Sequence, residues 1–418
     1  MLTADPMPVS RDQEAAASAA PPSGLKFRGH IPALDGLRGI AILMVLMLHF
    51  YNEAAINAQY PLLGPVITKL ALSGLYGVQL FFVLSGFLIT GIHVDSKGGN
   101  KYFRNFYMRR FLRIFPLYYG TLCVLFLILP HVVVLDEGAK DIASRQGWLW
   151  TYLSNLPWSG SNWDSSNVFR LGHFWSLCVE EHFYVLWPLV VYACSKQKLV
   201  RLCVVIMACC LLVRLIHTVA DGPRLFAWSS IRKLDGLALG SLLAASLREG
   251  SLSFQLSRYA PGMVTVFGCM FTAFVFVPRH YMSGYYWAFV ESISVILFGF
   301  VLMLVLQPVG ILPSLMRQRW LIAFGKYSYG IYVVHNLCLP LFRYLFNPEC
   351  LLHAVGSPLL AQGIFYTLTV SASFLLAFLS WHLWEKHFLK LKRFFEYGRA
   401  ESRAGTTRAT AEPADVTG

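Results

Sequence analysis

The chain has 418 residues, a formal net charge of +13, a hydrophobic fraction of 56% and a mean hydropathy of +0.53. That is too apolar for a water-soluble domain of this length, and apolar runs of spanning length recur along nearly all of it. The expected fold class is therefore all-α, a polytopic membrane protein. The positive charge lies in short segments between apolar runs, where it reads as topology and not as a nucleic-acid surface. The nine cysteines show no CxxC or Cys/His spacing, so neither a metal site nor a disulfide framework is expected.

In chain order, residues 1–30 are rich in Ala, Pro and Ser and lack an apolar signal core, which predicts a disordered cytosolic tail. Residues 31–390 form the expected transmembrane domain, and 391–418 read as a basic, partly disordered cytosolic tail. Ten spans fit, at about 31–51, 72–93, 113–134, 174–194, 200–219, 232–247, 261–278, 285–306, 320–345 and 359–384. With the N-terminus inside, about 23 Lys and Arg fall on the inner side and about 8 on the outer, which predicts an N-in/C-in arrangement. No internal repeat is visible, which weighs against many secondary transporters.

The first span carries Arg38 and His49. Eleven residues at about 100° each return His49 to the azimuth of Arg38, about 16 Å further along the axis. An ionisable stripe at membrane depth is costly and marks a site by default. The alternative is a headgroup anchor at one end and a water-facing imidazole at the other. Asp35 stands three residues before Arg38 and can position it, but along a straight helix it lies about 21 Å from His49. A neutral imidazole can take the proton of a hydroxyl nucleophile.

Ser85 and Gly86 place small residues inside the second span, for close packing or a narrow cavity. Arg110 and Arg113 share a face at the cytosolic start of the third span; they read as a bidentate phosphate clamp or as an ordinary topological signal. The outer loop at about 135–172 holds Trp148, Trp150, Trp158, Trp163, Asp164 and Arg170, which suits either an interfacial aromatic belt or stacking on sugar rings. In the fourth span Ser176, Glu180 and Tyr184 are spaced i, i+4, i+8 and share a face, with His173 one turn earlier. Glu180 and Glu181 must meet a polar cavity, a cation or the water boundary. Arg232, Lys233 and Asp235, and likewise His335 and Asn336, read most simply as structural, with His335 a weaker second candidate for a polar core position.

Arg38-x10-His49, Arg110-x-x-Arg113 and Ser176-Leu-x-x-Glu180-x-x-x-Tyr184 occur in that order, together with Leu80-Phe-Phe-Val-Leu-Ser-Gly-Phe-Leu88 and Tyr327-Ser-Tyr-Gly-Ile-Tyr-Val-Val-His335. This set resembles the acyltransferase-3 family of integral membrane acyltransferases over about residues 31–390. The resemblance implies an O-acyltransferase of the bacterial inner membrane. It would move an acyl group, usually acetyl, from cytosolic acyl-CoA to a hydroxyl of an extracytoplasmic or lipid-linked glycan. It implies a catalytic role for His49, with Glu180 and Tyr184 beside it, and donor-side roles for Arg38, Arg110 and Arg113; Asp35 and Ser176 would support them. The partners implied are acyl-CoA, a glycan or glycolipid acceptor and membrane lipids. Two other readings stay open from the residues: a glycan or lipid transporter, and the other large family of membrane-bound O-acyltransferases.

Overall fold

The structure, a computed structural model, describes residues 30–156, 162–219, 229–248, 251–277 and 284–396. The expected tails (apart from His30 and residues 391–396) and Trp158 lie outside these residues. Ten helices of 18 to 25 residues are present among them: α1 Pro32–His49, α2 Gly77–Ser96, α3 Tyr102–Cys123, α4 Trp175–Ala193, α5 Lys196–Val219, α6 Ser230–Leu247, α7 Ser251–Val275, α8 Gly284–Val305, α9 Arg319–Leu337 and α10 Pro358–Ser380. No strand occurs among the described residues. Each helix overlaps one of the expected spans.

Six helical segments are long and apolar enough to cross a membrane: Pro32–His49, Gly64–Ser96, Tyr102–His131, Lys196–Val219, Gly284–Val305 and Pro358–Phe394. The chain is thus a multi-pass integral membrane protein. Val204, Val205, Leu212 and Ile216 of α5 are each more than half exposed, an outward apolar face that only lipid tails solvate without cost. In α4 and α6 the apolar run is broken by Glu180, Glu181 and His182 and by Arg232, Lys233 and Asp235. These polar residues are mostly turned inward, where backbone and side chains can satisfy them.

Helices α1 and α2 lie at the centre. Helix α9 packs along α1, and α6 packs along α2, while α4 also touches α2. One core gathers α3, α4, α9 and the loop before α4; a second gathers the start of α1 with α2, α6 and α8. The α1–α9 approach depends on glycine: a Cβ at Gly325 would overlap the Asp35 carbonyl oxygen. Away from the cavity, Arg214 of α5 pairs with Asp235 of α6 and lies 3.2 Å from Glu291 of α8, which in turn pairs with Lys233 at 2.8 Å. The charges noted at 232–235 are therefore one half of a buried network joining three helices.

Three boundaries differ from the sequence expectation. Helix α3 begins at Tyr102, so Arg110 and Arg113 stand about 12 and 16 Å inside it and not at its start. The expectation began where apolarity begins, but a helix stays intact through basic residues when they face a cavity. Helix α7 starts ten residues earlier than expected, at Ser251. Helix α9 ends at Leu337, and a separate helix, Leu339–Leu345, follows with Pro340 in its first turn, where its missing N–H is harmless.

The loop between α3 and α4 is built, not loose. Asp136 accepts from the backbone N–H of Ala139 (2.9 Å) and Asn167 (2.7 Å) and from the Ser166 hydroxyl (2.8 Å), so one carboxylate caps helix Glu137–Ser144 and clamps the far end of the loop. Slight desolvation raises its pKa, but these hydrogen bonds outweigh it and hold the carboxyl below the usual range. Trp163 is buried, donates to the Ser154 carbonyl (3.1 Å) and carries Arg145 over its ring at 4.7 Å. Trp150 stacks on Tyr119 with ring centres 5.8 Å apart. These two tryptophans pack the loop onto the bundle, a role the sequence did not offer for them.

Candidate active site

A cavity of about 100 Å³ lies among α1, α2, α3, α4 and α9. Its walls include Arg38 from α1, Ser85 from α2, Arg110 and Arg113 from α3, Ser176, Glu180, Glu181 and Tyr184 from α4, and Tyr329 and Tyr332 from α9. Residues far apart in sequence thus meet in one polar pocket inside an apolar bundle. The i, i+4, i+8 spacing works as expected: Ser176, Glu180 and Tyr184 line the same wall. Both glutamates line the cavity, the first of the three surroundings the sequence left open for them.

The Glu180 carboxylate is held from two sides. Ser85 donates to Oε1 at 2.7 Å, and the Tyr184 hydroxyl donates to Oε2 at 3.1 Å. Ser85 therefore does more than allow close packing, while its neighbour Gly86 does allow it: a Cβ there would overlap the Leu237 carbonyl. Asp35 positions Arg38 as its spacing suggests, through a 2.9 Å bond from Nη1 to Oδ1, and its other oxygen pairs with His30. The Arg110 guanidinium lies over the Tyr184 ring at 5.4 Å and the Phe106 ring at 5.8 Å. Neither Arg110 nor Arg113 forms an ion pair among the described residues. Glu180 and Glu181 line the same pocket but form no ion pair with either guanidinium, so both planar forks stay open to a further anion.

His49 is not among the residues lining the cavity. The cavity ends at Ser176 and Tyr332, whose hydroxyls bond to each other, and the Tyr332 hydroxyl also donates to the His173 carbonyl at 2.9 Å. Beyond this pair stands a cluster of imidazoles. His335 lies with its ring centre 5.5 Å from Tyr332, 4.8 Å from His49 and 4.9 Å from His173. Nδ1 of His49 contacts the Val45 carbonyl at 2.9 Å. A carbonyl can only accept, so Nδ1 carries the hydrogen and Nε2 keeps its lone pair, the form a general base needs. Asn336 donates to Nδ1 of His173 and to Asp164, each at 3.3 Å, and Asp164 accepts from the Gly172 N–H at 2.8 Å.

Tyr329 and Tyr332 were not singled out as site residues in the sequence, and His335 and Asn336 were noted there only with caution. Their signal was present: Tyr332, His335 and Asn336 follow one another on one side of α9, at i, i+3 and i+4. Among the described residues no group of His, Cys, Asp and Glu is arranged to hold a metal ion, and the nine cysteines are free.

Comparison with known proteins adds a family. The acyltransferase domain of the acyltransferase-3 family matches residues 31–381. The O-acetyltransferase OatA of Staphylococcus aureus is 27% identical over 334 residues, covering 73% of this chain and 50% of that protein. The putative peptidoglycan O-acetyltransferase YrhL of Bacillus subtilis is 28% identical over 381 residues, 85% of this chain and 54% of the relative. The peptidoglycan O-acetyltransferase OatA of Listeria monocytogenes is 28% identical over 330 residues, 74% and 49% respectively. The chain spans about half the length of these relatives. No solved structure matches it.

Proposed function

The chain belongs to the acyltransferase-3 family, and we propose that it moves an acetyl group from cytosolic acetyl-CoA to a hydroxyl of an extracytoplasmic glycan, with peptidoglycan as the first acceptor to test. The observation that supports this reading is the meeting of Arg38, Arg110 and Arg113 with Glu180 and Tyr184 in one cavity, whose wall residue Tyr332 leads through His335 to His49. With the ten spans and N-in/C-in orientation expected from the sequence, the arginine end of α1 would face the cytosol and the imidazole cluster would face outward. Nothing in the site favours transport, and the family removes the ground for that alternative.

The donor's fit follows from charge and reach. The cavity is a polar space lined by the three arginines and running among five helices, and it would take the thioester end of the pantetheine arm. The nucleotide stays at the cytosolic side with its phosphates on Arg110, Arg113 and Arg38, and the arm bridges the axial offset of about 16 Å from Arg38 to His49. Opening the Tyr332–Ser176 pair would admit the thioester to the imidazole. His49 Nε2 then takes the acceptor's proton as its oxygen bonds to the acetyl carbonyl carbon. The C–S bond breaks, and the sulfur leaves with the electron pair and is protonated to the thiol. Glu180, held by Ser85 and Tyr184, fixes the cavity wall and balances the guanidinium charge.

General base catalysis by histidine contributes about 10²- to 10⁴-fold. Purified protein in lipid nanodiscs, given acetyl-labelled acetyl-CoA and peptidoglycan strands, should place label in the glycan. His49→Ala, folded and inserted, should transfer at no more than about one hundredth of that rate. Near-normal transfer by His49→Ala would falsify the mechanism, and an unlabelled glycan with the parent protein would remove the acceptor.

A further inference from the structure

Nδ1 of His335 lies 2.7 Å from the Tyr332 carbonyl, so that nitrogen carries the hydrogen and Nε2 is an acceptor. The residue is fully buried, and Nε2 has no hydrogen-bond partner. A buried acceptor left empty is costly and calls for a reason. The neighbouring ring is His49, edge-on at 4.8 Å, and its Nε2 is also an acceptor with no bond among the described residues. Two imidazoles joined by an N–H···N bond of about 3 Å hold their centres about 5 Å apart. The ring-centre distance of 4.8 Å leaves room for such a bond once one of the two nitrogens carries a hydrogen.

We propose that His335 is a positioning residue that acts through His49: when His49 takes the acceptor's proton, His335 Nε2 accepts the new N–H of the imidazolium. This rests on His49 being the base, as argued above. The balance is closed. The hydroxyl oxygen bonds to the acetyl carbon, its proton resides on the two imidazoles, the C–S bond breaks with its electrons on sulfur, and the proton passes to that sulfur. Both rings end neutral. No co-reactant is needed beyond the thioester and the alcohol. The other charged or titratable groups around the pair are Tyr332 on its own helix, His173 before α4, and Asp164 and Arg170 of the long loop, whose charges reach the His49 ring.

The test compares His335→Phe, which keeps a ring of similar size, and His335→Gln, which restores an acceptor, in the nanodisc assay with acetyl-CoA. Expected is a fall in kcat of about 10- to 100-fold in His335→Phe, the factor a hydrogen bond to a charged group supplies. The KM for acetyl-CoA should stay within about twofold, with partial recovery in His335→Gln. The acidic limb of the kcat profile should move to lower pH in His335→Phe, because protonated His49 has lost its acceptor. A packing role alone would lower the yield of folded protein and leave that limb in place. If both variants retain kcat within about threefold with an unmoved limb while His49→Ala is inactive, this proposal fails and the base assignment stands. If neither variant folds, His335 belongs to the core and the proposal also fails. If His49→Ala itself transfers normally, the base assignment fails first.

Discussion

Arg110 and Arg113 offer the sharpest perturbation, because guanidiniums at this depth call for a ligand or a structural reason. Both line the cavity, and neither forms an ion pair among the described residues. If they serve the donor's phosphates, replacing either by Gln removes charge-assisted hydrogen bonds worth about 1.5–3 kcal/mol each. At about 1.4 kcal/mol per tenfold, losing one such bond raises the KM for acetyl-CoA about 10- to 100-fold. Folded protein should lose no more than the contact of Arg110 with the Tyr184 and Phe106 rings, about 0.5–2 kcal/mol. Lys at the same positions keeps the charge but loses the planar fork, so it should fall between. The assay pairs initial rates against acetyl-CoA with direct CoA binding to protein in nanodiscs, at low and high salt; loss of an arginine should flatten the salt dependence. Unchanged CoA affinity in both Gln variants would sink the reasoning and leave the two residues as topological markers.

Two further outcomes follow from the hydrogen bonding. Glu180→Gln replaces a carboxylate that accepts from both Ser85 and Tyr184 with an amide that can accept at only one end; transfer should fall at least about tenfold at normal expression, and failure to accumulate would make Glu180 structural. Asp136 has a depressed pKa, so its stabilising effect is complete above the ordinary carboxylate range and is lost as pH falls through its folded value. Melting temperatures of the parent and Asp136→Ala should therefore differ at pH 6, by an amount matching about 1 kcal/mol for the cap, and converge at strongly acidic pH; a gap independent of pH would assign the effect to packing.

Much of this was legible in the sequence because it depends on period and spacing. The ten helices follow runs of apolar residues, and the shared face of Ser176, Glu180 and Tyr184 follows from 3.6 residues per turn. The pairing of Asp35 with Arg38 is of the same local kind. What was hidden depends on long-range packing. Glu291, which completes the network around Lys233, lies 58 residues further on, and Arg214 lies on the preceding helix. The loop tryptophans look identical in sequence whether they stack on sugar, sit in a lipid belt or pack on Tyr119. His335 could be weighed only once α9 was seen against α1, because its significance is the ring beside it.

The proposed reaction would also account for a site spread over so many helices. Three chain segments each deliver one residue to the cavity and one to the imidazole cluster: Arg38 and His49 on α1, Glu180 and the preceding His173 at α4, Tyr332 and His335 on α9. A reaction whose donor arrives from one side of a bilayer and whose acceptor arrives from the other needs such a frame, since only a rigid helix fixes groups about 16 Å apart along the membrane normal. The glycine contact at Gly325 then acquires a functional meaning. It sets the α1–α9 register with no slack, so any shift there would displace His49 from His335 and Arg38 from the cavity wall together.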